Sequence, residues 1–206
     1  FYGMITNIDE NVARLRKHLA ASGLADNTLL IFTTDNGTAA GAGRGGGFNA
    51  GLRGTKGSEF DGGHRVPCFW HWPAGKLTGG RDVTRVTAHV DMLPTLADIC
   101  RLKPPTDRTI DGTSLLPLLS GQARTWPART LFVHSQRIEF PQKLRKCAVM
   151  TDRWRLVNGK QLFDLDADYG QTTNVAGDHP DVVKRLSGAY DTWWTSIGTR
   201  FKDYVR

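Results

Sequence analysis

The chain has 206 residues, a net charge of +7 at pH 7, and 39% hydrophobic, 9% aromatic and 23% charged residues, the composition of a soluble globular protein. No apolar run reaches the roughly 18 residues of a membrane span, so we expect no membrane partner. The basic stretch 143–146 stands without a nucleic-acid-binding motif, so we expect no nucleic-acid partner either.

The first half of the chain predicts an α/β arrangement. One face of a predicted helix carries Ile5, Ile8, Val12, Leu15 and Leu19. Gly23 then ends this helix, and the apolar run 28–34 predicts a strand buried on both faces, as in a parallel sheet flanked by helices. A helix followed by such a strand is half of a βαβ unit. Since the chain enters this helix without a signal-peptide pattern, we expect it to be part of a longer protein.

Two oxygen-bearing side chains, Asp35 and Asn36, follow the predicted strand. Ligands of open α/β sheets bind beyond the carboxyl ends of strands, so these residues are placed to bind one. Asn-Gly and Asp-Gly also favour turns, and the residues alone favour a simple turn. The glycines at 41–46 match GxGxxG, but no helical pattern follows them, which argues against a dinucleotide site.

Short strands dominate after about residue 125. Asn158-Gly159 separates two apolar runs and predicts a hairpin with a primed turn, although Lys160 leaves the loop length open. A last helix is predicted over 180–197. We expect a small antiparallel sheet covered by this helix, an α+β arrangement.

Five segments, taken in order, resemble motifs of the sulfatase family. Thr28–Gly37 resembles its TSDNG strand, and Leu52–Pro67 resembles its second signature, in which a lysine precedes an (E/D)GG-x-R-x-P run. The other three segments are 89–96, 111–119 and 162–175. The resemblance covers nearly the whole chain and corresponds to the C-terminal portion of an arylsulfatase-like protein of the alkaline-phosphatase-like superfamily.

The resemblance implies an α/β alkaline-phosphatase-like sandwich with a small C-terminal subdomain. Residues 1–125 would be the C-terminal part of the catalytic domain, and 126–206 the α+β subdomain. Asp35 and Asn36 match the family's ligands for a divalent cation, usually Ca²⁺, which prefers hard oxygen donors. Lys56 matches the lysine that contacts the substrate sulfate, and its ammonium is a compact charge suited to one sulfate oxygen.

The rest of the second signature is expected to be structural. Gly62 and Gly63 are expected to allow a tight turn, Arg65 to pair with a nearby carboxylate, and His64 to be a hydrogen-bonded scaffold residue.

The family's nucleophile is a formylglycine made from Cys or Ser in a Cys/Ser-x-Pro-x-Arg signature. None of Cys68, Cys100 and Cys147 fits it, and no serine does. We therefore expect formylglycine upstream of this chain, and we expect the 206 residues alone to be inactive and to bind little Ca²⁺. An unpaired sheet edge is expected to let them self-associate.

The resemblance predicts a sulfuric ester hydrolase acting on aryl or carbohydrate sulfates, secreted or periplasmic like most of the family. Two alternatives remain open. One is a phosphonate monoester hydrolase or phosphodiesterase of the same superfamily. The other is a non-catalytic relative that binds sulfated glycans, which would suit the net charge of +7.

Overall fold

The structure is a computed structural model that describes residues 2–39, 48–122 and 126–201, without the side chains of 199–201. Its helices are α1 (Tyr2–Ala21), α2 (Asp61–His64), α3 (Met92–Ile99), α4 (Leu116–Leu119) and α5 (Pro180–Phe201). Its strands are β1 (Leu30–Thr33), β2 (Cys68–His71), β3 (Leu131–His134), β4 (Cys147–Met150), β5 (Trp154–Val157) and β6 (Gln161–Asp164). No helix in the described ranges is long and apolar enough to span a membrane.

The chain forms two compact units. The first contains residues 1–3, 33–67 and 129–206, and the second contains residues 4–32 and 68–128. The segment that carries Asp35, Asn36 and Lys56 therefore belongs to the same unit as the C-terminal sheet. The domain boundary at 125/126 expected from the family stays a prediction.

In the second unit, β1 pairs with β2, and α1 ends as the sequence predicts. Gly23 has a φ of +69°, and Leu24 N–H donates to the carbonyl of Leu19 (2.9 Å), which satisfies a free carbonyl of the last turn. The expectation that β1 is buried on both faces is wrong: its four residues run from half-buried to exposed. In the described part of the chain β1 pairs with β2 alone, and the described residues do not cover its two faces enough to bury its side chains.

The apolar face of α1 is exposed. No residue of this helix is buried, and Ile5, Ile8 and Leu15 are each more than two-fifths exposed. Exposed apolar surface of this kind is what the expected self-association needs. Self-association itself stays a prediction.

The first unit contains a four-stranded antiparallel sheet in the order β3-β4-β5-β6. The predicted hairpin is present: Asn158 and Gly159 have φ values of +53° and +66°, the left-handed conformations of a primed turn. Val157 pairs with Gln161, so the loop has three residues.

Alternate residues of each strand point to opposite sides of this sheet, and the central strands β4 and β5 are buried on both sides. One face packs on α5, where Leu156 and Leu162 meet the fully buried Leu186 and Tyr190. The other face carries a second cluster, Ala148, Met150, Val157 and Phe163, which is covered in part by Phe60. The segment around Phe60 thus packs on the side of the sheet opposite α5.

Candidate functional site

The loop that follows β1 and the segment around Lys56 are joined by a backbone hydrogen bond. Lys56 N–H donates to the carbonyl of Thr38 (2.8 Å), two residues after Asn36. The structure thereby brings the two predicted metal ligands and the predicted sulfate-contacting lysine into one local region. All three residues belong to the first unit.

The same loop packs backbone to backbone on α2. Gly37 N–H donates to the carbonyl of Gly63 (3.0 Å). A Cβ atom on Gly37 would lie 1.9 Å from the carbonyl oxygen of Gly62, and one on Gly62 would lie 2.3 Å from that of Gly54. Glycine is therefore required by the close approach of these segments.

This corrects the expected role of the signature glycines. Gly62 and Gly63 do not have a positive φ, so a tight turn is not the reason for them. They lie in α2, where the missing Cβ atoms let the backbones of residues 53–54 and 58 come close.

Asp61, the first residue of α2, connects the signature to the sheet. Its carboxylate Oδ1 accepts a hydrogen bond from Arg155 Nε (2.9 Å), and its backbone N–H donates to Gln171 Oε1 (2.9 Å). Arg53 Nη1 in turn donates to the carbonyl of Gln171 (2.9 Å) and lies over the Phe60 ring. Asp61 and Gln171 are fully buried and Arg155 nearly so, so this network fixes the segment that carries Lys56.

Two expectations for the signature agree with the structure. Arg65 Nη1 lies 3.6 Å from the second carboxylate oxygen of Asp61, an ion pair within one helical turn. His64 Nε2–H donates to the carbonyl of Glu59 (3.2 Å), and burial lowers the pKa of His64, so the ring is neutral at neutral pH. These contacts are those of a scaffold histidine.

The loop 35–38 has donors suited to a hard cation. The Asp35 carboxylate is exposed, with no hydrogen bond or ion pair to any described residue. Asn36 Nδ2 donates to the carbonyl of Gly37 (3.2 Å), which leaves the amide oxygen available as a ligand. The buried hydroxyl of Thr38 has no hydrogen-bond partner among the described residues, a further polar atom beside the same loop.

These two side chains fit Ca²⁺ as part of a coordination sphere. Ca²⁺ takes six to eight oxygen ligands, and one carboxylate with one amide supplies a minority of them. Within ranges 2–39, 48–122 and 126–201, no three His, Cys, Asp or Glu side chains come together as a metal site. The calcium site and the role of Lys56 therefore stay predictions.

Comparison with known protein families shows to which family this chain belongs. The family model described as N-sulphoglucosamine sulphohydrolase, C-terminal, matches residues 56–189, and the model described as Sulfatase matches residues 1–101. The chain belongs to the sulfatase family. The sulfatase resemblance read from the sequence is thereby confirmed.

Two curated relatives of this sulfatase chain come from Mus musculus. Steryl-sulfatase is 39% identical over 133 residues, which cover 62% of the chain and 21% of that protein. N-acetylgalactosamine-6-sulfatase is 36% identical over 175 residues, which cover 84% of the chain and 32% of that protein. The chain thus spans about a third or less of the length of these two relatives.

Two solved structures show the same fold. A protein from the Bacteroides thetaiotaomicron locus for the metabolism of multiple glycosaminoglycans is 26% identical, with a TM-score of 0.74 over 91% of the chain and 43% of its own. The phosphonate monoester hydrolase of Agrobacterium radiobacter is 28% identical, with a TM-score of 0.64 over 97% and 40%. The predicted fold class, α/β with an α+β C-terminal part, is confirmed.

Sequence reasoning missed the partners of Asp61. Arg155 lies in a strand whose other residues are apolar, and a charged residue at such a position is a signal for a buried ion pair. Gln171 lies in a loop and carries no comparable signal. Sequence reasoning considered the basic residues at 143–146 for nucleic-acid binding, which it did not expect. They are exposed just before β4, but two of them line a cleft beside Lys56.

Proposed function

We propose that this chain supplies two metal ligands, Asp35 and Asn36, and the sulfate-binding Lys56 of a sulfuric ester hydrolase. The observation that carries the proposal is the 2.8 Å hydrogen bond from Lys56 N–H to the Thr38 carbonyl. It joins the backbone of Lys56 to the loop that carries both oxygen donors, which supports the proposal. Family membership supports the reaction class.

Each residue has a defined task in this proposal. Asp35 and Asn36 would hold a Ca²⁺ ion through a carboxylate and an amide oxygen. When bound, the ion would offset negative charge on the sulfate group. The Lys56 ammonium would contact a sulfate oxygen and stabilise the charge that develops as the S–O bond breaks. The formylglycine nucleophile is absent from these 206 residues, and the proposal places it upstream.

The substrate in this proposal is an aryl or carbohydrate sulfate ester. Support comes from N-acetylgalactosamine-6-sulfatase among the relatives and from the structural neighbour of the glycosaminoglycan locus. The proposal also keeps a secreted or periplasmic location, on family resemblance.

The test is turnover of 4-nitrophenyl sulfate by the full-length protein that carries this chain. Lys56→Ala should lower kcat/KM about a hundredfold or more, because a preorganised group that stabilises developing charge contributes that much. Lys160→Ala removes another exposed lysine, in the β5–β6 loop, and should leave kcat/KM unchanged. Equal kinetics for both variants would remove Lys56 from the site.

A second function, phosphonate monoester hydrolysis, is favoured by one observation. The Agrobacterium enzyme shares the fold at 28% identity and matches 97% of the chain. Sulfate and phosphonate groups are both tetrahedral anions, which a lysine binds as a point charge. Comparing kcat/KM for 4-nitrophenyl sulfate and 4-nitrophenyl phenylphosphonate separates the two functions, and we expect the sulfate to be preferred.

A further inference from the structure

A cleft of about 440 Å³ lies beside Lys56 in the first unit. Its far wall is the loop that joins β3 to β4, and we call it the basic cleft because its lining includes Lys56, Arg137, Arg145 and Lys146. No carboxylate lines the cleft in the part of the chain that the structure describes. Its volume is that of a small-molecule site.

Hydrogen bonds from two buried or half-buried side chains, Gln136 and Tyr190, hold the backbone of the β3–β4 loop in place. The Gln136 side chain spans it: Nε2 donates to the carbonyls of Gln142 (2.7 Å) and Arg145 (2.6 Å), and Oε1 accepts from Gln142 N–H (2.8 Å). The fully buried Tyr190 adds an anchor, since its hydroxyl accepts from Leu144 N–H (3.0 Å). The backbone positions of Arg145 and its neighbours are thus set by the fold.

The four cations of the basic cleft lack anionic partners. None of Lys56, Arg137, Arg145 and Lys146 forms an ion pair with a described residue. Lys143 of the same loop, by contrast, pairs with Asp191 at 2.8 Å. Like charges around one concave surface repel each other, and an anion in the cleft relieves that repulsion.

We propose that the basic cleft binds a second anionic group, sulfate or carboxylate, of a glycan whose sulfate ester Lys56 contacts. The substrate class is then a multiply charged glycan. The fork of Arg137 or Arg145 matches either group, since guanidinium binds planar and tetrahedral oxyanions through paired N–H donors. This inference rests on the proposed function for the position of the first sulfate.

The test is calorimetric titration of the 206-residue chain with N-acetylgalactosamine 4,6-disulfate, compared with N-acetylgalactosamine 6-sulfate. Neither sugar carries a carboxylate, so the second sulfate is the one anionic group by which they differ. Arg137→Ala/Arg145→Ala should weaken binding of the disulfated form about tenfold or more, because charge-assisted hydrogen bonds are the strong ones. The monosulfated form should lose much less. Lys143→Ala/Lys184→Ala makes the same change in net charge at exposed positions outside the cleft and should leave both affinities unchanged.

Equal losses in the two double variants, or equal losses for the disulfated and the monosulfated sugar, would overturn the inference. Kinetics of the full-length protein separate it from the proposed function. If Lys56→Ala abolishes turnover while Arg137→Ala/Arg145→Ala leaves KM for the disulfated substrate unchanged, the inference about the basic cleft is wrong and the proposed function stands. If Arg137→Ala/Arg145→Ala loses binding of the disulfated sugar while the wild-type protein turns over no sulfate ester, the inference about the basic cleft stands and the proposed function is wrong.

Discussion

Arg155→Met tests whether the buried ion pair to Asp61 fixes the segment that carries Lys56. The Arg155 side chain is 7% exposed and that of Asp61 is 1% exposed. Removing the guanidinium leaves the Asp61 carboxylate buried without its 2.9 Å partner. Breaking a buried pair on one side costs about 3–5 kcal/mol, a large part of the roughly 5–15 kcal/mol that stabilises a domain.

The measurement is urea unfolding of the 206-residue chain, followed by far-UV circular dichroism. We expect the midpoint to fall by about 1–5 M, which is the loss of about 3–5 kcal/mol divided by a dependence on urea of about 1–3 kcal/mol per molar. Asp61→Asn/Arg155→Met removes both charges and should recover most of the loss, because a neutral pair leaves no unpaired buried charge.

Arg153→Met is the matched control. Arg153 Nε and Nη2 donate to the two carboxylate oxygens of Asp164 (2.8 and 2.6 Å), but the Arg153 side chain is half exposed. An exposed pair contributes little, so the midpoint should stay close to that of wild type. If Arg155→Met and Arg153→Met unfold at the same urea concentration, the structural role assigned to the Asp61–Arg155 pair is wrong.

Three further predictions concern stability, measured in the same unfolding assay. Gly62→Ala forces a Cβ within 2.5 Å of two carbonyl oxygens and should destabilise the fold by about 1–3 kcal/mol. Gly188→Ala lies in open space on α5 and should stabilise the fold by about 0.5–1 kcal/mol. A change of the same sign in the free energy of unfolding of both variants would contradict the packing described around Gly62. Leu186→Ala empties a fully buried site and should cost about 2–5 kcal/mol, and a loss below 1 kcal/mol would place Leu186 outside the core. Burial lowers the pKa of His134 in the folded chain, so the neutral ring contributes fully to stability above the ordinary histidine value near 6.5. That contribution is lost as pH falls from there through the lowered pKa of the folded chain. His134→Gln should reduce the dependence of the free energy of unfolding on pH between 7.5 and 5, and an unchanged dependence would exclude His134 as its source.

The periodic elements were predictable because they depend on local patterns. The apolar face of α1 and Gly23 gave that helix and its end, and Asn158-Gly159 gave the β5–β6 hairpin. The burial of β1 was not predictable, because it depends on how many layers cover the strand. The structural reason for a glycine at position 62 was missed for a similar cause. Carbonyl oxygens from other segments approach this position closely, and the residues next to Gly62 in the sequence do not indicate that approach.

Some parts of the candidate site could likewise be predicted from the sequence, and others could not. The family motifs identified Asp35, Asn36 and Lys56, and strand–loop logic placed the first two at a strand end. The hydrogen bond from Lys56 to Thr38 and the ion pair from Asp61 to Arg155 join positions far apart in sequence, so no spacing rule predicts them. The basic cleft was missed because Arg137 and Arg145 are distant from Lys56 along the chain and meet it through the β3–β4 loop.

The most direct test of the account is whether Asp35, Asn36 and Lys56 surround one cation-binding point. Mn²⁺, a paramagnetic substitute for Ca²⁺, is titrated into the ¹⁵N-labelled chain, and the broadening of backbone amide signals is followed by NMR. Because two protein ligands bind such an ion weakly, we predict no tight binding but a broadening that begins at one place as Mn²⁺ is raised. The amide signals of residues 35–38 and of Lys56 should broaden together before all others, and Asp35→Ala/Asn36→Ala should abolish the effect. Broadening centred elsewhere, or at Asp35 without Lys56, would contradict the shared site.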